Sequence, residues 1–137
     1  MRVSVIGVGT RQGDDAAGLE VAESLARRAL PPGTRVATCE RPLPDLLDLL
    51  AEADAAVLVD AARGSPDAVR RVERAELLRS PATSSHGFGV AEVIALAEAL
   101  GRAPRRLELV AVAGATAIEA GAALVEDLVR GLAAERR

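Results

Sequence analysis

At 137 residues, half of them hydrophobic, and with a formal net charge of −3, the chain fits one domain with a two-faced core. It offers no general footprint for nucleic acid or an anionic membrane. A lone cysteine, Cys39, excludes an internal disulfide and a cysteine-rich zinc site. The opening residues lack an apolar signal-peptide core and no run approaches the roughly 20 residues of a membrane span, so the expectation is a cytoplasmic protein, one domain over residues 1–137.

Val3, Val5 and Ile6 form a short β-branched run that stops at Gly7-Val8-Gly9, and Leu19, Val21, Ala22, Leu25 and Ala26 then recur at helical spacing. This predicts a strand, a glycine turn and a helix. The turn begins like a dinucleotide fingerprint, but Gln12 stands where the third glycine belongs and Gly13 restores it at a shifted spacing. Asp14 and Asp15 at the helix start repel a phosphate where bare N–H groups would be needed. One aspartate can cap the helix, a role assigned to Asp14, which leaves Asp15 to point over the strand ends.

After the breaker Pro31-Pro32-Gly33, residues Thr34 to Cys39 alternate as an outer strand, and Pro42 and Pro44 open a helix through Leu46, Leu47, Leu49 and Leu50. Ala55 to Asp60 is a continuous apolar run ended by an acid, as in a central strand buried on both faces. A turn cluster over Arg63 to Asp67 precedes a weaker strand, Val69 to Glu73, whose neighbouring arginines suit an edge. The loop Arg79 to Gly89 leads into a helix on Val90, Val93, Ile94, Ala97 and Leu100, closed by Gly101. Leu107 to Val112 is the last strand, and Leu124, Val125, Leu128, Val129 and Leu132 mark the last helix. Alternating strands and helices imply an α/β fold, a mostly parallel sheet with helices on both faces.

Ligands in such sheets bind beyond the carboxyl ends of the strands. Asp15 follows the first strand and Asp60 ends the third. The loop of His86, the only histidine, enters its helix from the same edge if that helix runs back toward the opposite one. Plainer roles exist for each: a turn cap for Asp60, and for His86 a place on the surface near an N-cap set by Ser84 or Ser85. Together, two carboxylates and an imidazole suit a metal that must also hold water or substrate. A Ser-His-Asp hydrolase is disfavoured, since no G-x-S-x-G elbow is present. Cys39 with His86 as nucleophile and base stays open on spacing alone.

Gly7-x-Gly9 with Gly13-Asp14-Asp15-x-x-Gly18, then Val59-Asp60-Ala61, then Ser85-His86 opening a helix, resemble the hydrogenase maturation endopeptidase family along nearly the whole chain. The resemblance implies a three-layer αβα sandwich around a five-stranded sheet. It also implies an endopeptidase that trims the C-terminal extension from a nickel-iron hydrogenase large-subunit precursor after nickel insertion. Asp15, Asp60 and His86 take the places of the family's ligands and catalytic residues, gripping nickel supplied by the precursor, with no organic cofactor. The chain departs from the family in having Thr10 where Asn is usual and Cys39-Glu40-Arg41-Pro42 where a glycine-threonine-glycine segment is usual. Two other readings are a non-cleaving metal-binding assembly accessory and a Rossmann-like nucleotide-binding enzyme, the latter motivated by Gly7, Gly9 and Glu40.

Overall fold

In the computed structural model, which describes residues 2–61, 68–79 and 89–135, the first apolar run forms β1 (Val3–Val8), every residue of it buried. The period-2 alternation of a strand sends Val3 and Val5 to one face and Ile6 and Val8 to the other, so β1 feeds both halves of the core. β2 (Thr34–Cys39) pairs with one side of β1 and β3 (Ala55–Ala61) with the other, both parallel to it. β5 (Arg106–Val112) lies parallel beside β3, and β4 (Val69–Val72) closes the sheet antiparallel to β5, giving the order β2-β1-β3-β5-β4.

The helices follow from that order. A right-handed crossover running one way from β1 puts its helix on one face, and a crossover running the other way puts its helix on the opposite face. Accordingly α1 (Ala17–Ala26) packs Val21 and Leu25 against Val3, Val57 and Val59, while α2 (Leu47–Ala51) packs Leu50 on the face of Ile6 and Leu58. α5 (Ile118–Glu135) joins α1 through Val125, Val129 and Leu132, and α4 (Val90–Ala99) joins α2 through Val93, Ile94 and Ala97. Two apolar layers therefore sandwich the sheet, the three-layer architecture expected from the alternation of apolar runs. No described helix is long and apolar enough to cross a membrane.

Two local expectations need correction. Helix α2 does not open at Pro42: Leu43 is extended (φ −120°, ψ 126°), because a residue before proline is pushed out of the helical region, and regular helix begins only at Leu47. A short helix, α3 (Arg74–Arg79), follows β4 where the sequence pattern indicates none, since six residues carry less than two turns of periodicity. Gly101, by contrast, ends α4 as its sequence indicates. With φ of +70° it lets Arg102 N–H reach the Ala97 carbonyl at 2.8 Å while its own N–H reaches Glu98 at 3.1 Å, the paired bonds of a Schellman cap.

Candidate active site

The chain reverses its direction of travel across the sheet at β1, so the crevice beyond the carboxyl ends of β1 and β3 is where an open α/β sheet takes its ligand. Two glycines bring a helix down onto that crevice. A Cβ on Gly18 would lie 2.4 Å from the Val59 carbonyl oxygen and 2.5 Å from that of Val8, and one on Gly7 would lie 2.3 Å from the Gly18 oxygen. Only the missing side chains let the start of α1 rest on the backbones of β1 and β3, and this close packing holds the preceding acidic turn above the strand ends.

Asp15 sits in a single tight turn, Gly13–Ala16, half-buried and held from below. The Thr10 hydroxyl donates to its Oδ2 at 2.7 Å and the Thr10 N–H to the same oxygen at 3.1 Å. Thr10 thus fixes the acid through both its hydroxyl and its N–H. No described residue donates to Asp15 Oδ1. Asp60, near the carboxyl end of β3, accepts the Ala61 N–H on Oδ1 at 2.8 Å. Its carboxyl is pushed up to about 6, chiefly by burial and further by the negative charge of Asp15, with the Ala61 N–H opposing the rise. Two acids close enough to feel each other, with no arginine ion-paired to either among the described residues, form an electrostatically unsatisfied pair.

The remaining predicted positions divide. Asp14 makes no cap: neither the turn nor α1 has a side-chain hydrogen bond at its start, and Asp14 instead lies exposed with Oδ1 against Gly114, in the loop after β5. That neighbour comes from a loop a hundred positions on, which a pattern of local capping residues cannot reveal. His86, together with Ser84, Ser85 and the turn cluster of residues 63–67, lies outside the described residues. Among the described residues no three His, Cys, Asp or Glu side chains gather as a metal site, and the acids are a pair. Cys39 is buried, donates its thiol to the Arg41 carbonyl at 3.1 Å, and is pushed up by burial, the opposite of an activated nucleophile. Arg11, the cation nearest the turn in sequence, is engaged with Glu23 at 2.7 Å, so the acidic turn offers no cradle for phosphate.

Beside Asp60 the core of the α2–α4 face runs out into a cavity of about 220 Å³. Leu58 and Leu109 line its apolar depth, Leu77 of α3 and Val90 of α4 cover it, and Asp60, Ala111 and Arg70 stand at the strand ends. Arg70 is ion-paired with Glu76 of α3. The sequence pattern does not single out Arg70, Leu77 or Ala111. Their meeting depends on the antiparallel register of β4 on β5 and on a helix too short to signal itself.

No protein-family model matches the chain, and no curated protein sequence matches it. Solved structures do. The hydrogenase maturating endopeptidase HybD from E. coli superposes with a TM-score of 0.74 at 25% identity, over 96% of this chain and 93% of that one. An endopeptidase from Escherichia coli, solved in solution, gives 0.74 at 25% identity over 91% and 90%. The nickel-iron hydrogenase maturation protease HycI from Thermococcus kodakarensis shares the fold, with a TM-score of 0.67 at 23% identity over 93% and 89%.

Proposed function

Because this chain shares the fold of the hydrogenase maturation endopeptidases from its first strand to its last helix, we infer that it is itself an endopeptidase of hydrogenase maturation. Its substrate is the large-subunit precursor of a nickel-iron hydrogenase, and it removes a C-terminal extension once nickel is in place. Asp15, Asp60 and His86 grip the nickel that the precursor carries, so a subunit lacking metal lacks the group that is recognised and stays uncut.

The observation that supports this reading is the unsatisfied acid pair at the sheet's switch point. Burial, with the Asp15 charge adding to it, makes the Asp60 carboxylate costly to ionise, and a divalent cation presented between the two acids relieves that cost. Thr10 orients Asp15 for that encounter, Ala61 N–H orients Asp60, and each acid keeps one oxygen uncommitted to any described donor. Hard oxygen donors with one imidazole and no thiolate make a sparse site, consistent with a metal that arrives on the substrate and departs with it. The isolated protein is accordingly expected to lose added nickel on extensive dialysis. A nucleotide is the poorer occupant, since acids occupy the helix start where phosphate needs bare N–H groups.

The test is incubation with a large-subunit precursor, nickel-loaded and nickel-free, read by intact mass. Shortening of the loaded precursor alone is the expected result. Equal cleavage of both overturns metal recognition, and binding of the loaded precursor without shortening makes the chain an assembly accessory.

A further inference from the structure

The cavity beside Asp60 has a construction that the grip on metal does not use. Along the sheet, Leu58 of β3 pairs with Leu109 of β5, and Val72 of β4 pairs with the same Leu109, making one apolar row across three strands. Two residues further toward the crevice the same register places Asp60 beside Ala111 and Ala111 beside Arg70. Since side chains two apart share a face, this second row lies directly above the first, with an alanine at its centre. Among the described residues the small side chain leaves the mouth open between the carboxylate and the Arg70–Glu76 ion pair, and Leu77 and Val90 cover the apolar depth behind it.

We propose that this cavity is a side-chain subsite of the endopeptidase, taking an aliphatic side chain of the precursor from a residue flanking the scissile bond. The inference rests on the endopeptidase reading and adds to it the chemistry of the residue recognised. Three observations carry it. At about 220 Å³ the cavity is smaller than the roughly 300 to 1,000 Å³ of pockets that take whole cofactors or drug-sized ligands, and it suits one side chain. Its depth, between Leu58, Val72, Leu77, Val90 and Leu109, is aliphatic, so a charged group seated there would be desolvated behind the charged residues of the mouth. Its mouth is shared with Asp60, so a peptide whose metal is gripped there passes its neighbouring residues over Ala111. The Arg70–Glu76 pair joins β4 to α3 and so keeps Leu77 over the depth, while its opposed charges add no net charge to the rim.

The experiment compares nickel-loaded precursors in which each residue flanking the scissile bond is replaced in turn by leucine, serine, lysine or phenylalanine. They are cleaved by the wild type, Ala111→Leu and Leu77→Ala, with circular dichroism confirming that each variant is folded. At one flanking position the wild type is expected to prefer leucine to serine by about tenfold or more in kcat/KM, the discrimination an apolar pocket supplies. Ala111→Leu fills the mouth and erases that preference, and Leu77→Ala deepens the pocket and extends it to phenylalanine. Equal handling of leucine and serine at both positions, a preference for lysine, or a preference that neither variant changes overturns the subsite while leaving the endopeptidase intact. If the wild type cleaves no nickel-loaded precursor, the endopeptidase reading has failed instead. Calorimetric binding of the leucine and serine precursors then decides the pocket by itself, equal affinities overturning it.

Discussion

The acids at the amino end of the sheet and the Asp15–Asp60 pair at its carboxyl end are treated in opposite ways. At the amino end Glu52 meets Arg35 at 3.3 Å, Glu108 is paired with both Arg71 and Arg106, and Asp54 accepts the Arg2 N–H at 2.6 Å. At the carboxyl end Asp15 and Asp60 lie within electrostatic reach of each other, with no arginine ion-paired to either among the described residues, and Asp60 is pushed up to about 6, chiefly by its burial. A chain with seventeen arginines has cations enough to neutralise both ends. Matched acids at one end keep the surface soluble at little net energy, since exposed ion pairs contribute about 0 to 1 kcal/mol. At the other end the ionised form of Asp60 costs stability, as is common for groups held at functional sites.

The change that should break this contrast most completely is Asp60→Asn. It keeps the shape and the bond from Ala61 but removes the charge, so processing of a nickel-loaded precursor, followed by mass, should fall at least about a hundredfold. Losing even an outer partner of a metal ligand costs about 10 to 100-fold. His86→Ala should match it. The folded pKa of Asp60 lies above its ordinary 3.8, so ionisation opposes folding: wild-type stability should decline as pH rises from about 3.8 through about 6 and then level. The decline has a ceiling of about 3 kcal/mol, at about 1.36 kcal/mol for each pH unit between those two values, and denaturant titrations at pH 4 and pH 8 should show it flattened in Asp60→Asn.

Gly18→Ala should lower stability by about 1 to 3 kcal/mol, the range for overpacking, because its Cβ meets two strand carbonyls; urea unfolding measures it. Thr10→Val keeps the N–H bond to Asp15 but loses the hydroxyl, and should slow processing about tenfold with a stability loss of about 1 kcal/mol. Asp14→Asn and Glu52→Gln should be the mildest, each within about 0.5 kcal/mol and with unchanged processing. Asp14 caps nothing, and Glu52 belongs to the matched end. A dead Asp14→Asn would show that the functional acid of the turn is Asp14 and not Asp15.

Whatever a short window determines is legible in the sequence. The apolar runs mark β1, β2, β3 and β5 within a residue or two, the arginines around Val69 mark an edge, and Gly101 marks a helix end. The glycine turn and its acids carry the family resemblance by residue type and spacing alone, and the solved endopeptidases bear that resemblance out. Less legible is anything decided by distant residues. Asp14 reads as a cap because acids near helix starts usually are, and only the approach of Gly114, a hundred positions on, gives it another place. The Asp60-Ala111-Arg70 row depends on two strand registers at once, one of them antiparallel, and no periodicity in the sequence encodes it.

Titration of the Asp60 carboxyl carbon by NMR, in the wild type and in Asp15→Asn, tests the unmatched pair most directly. A wild-type midpoint near 6 that falls when Asp15 loses its charge is the expected result. A wild-type midpoint near the ordinary 3.8, or one that Asp15→Asn leaves in place, would contradict the coupled, unsatisfied pair on which the site rests.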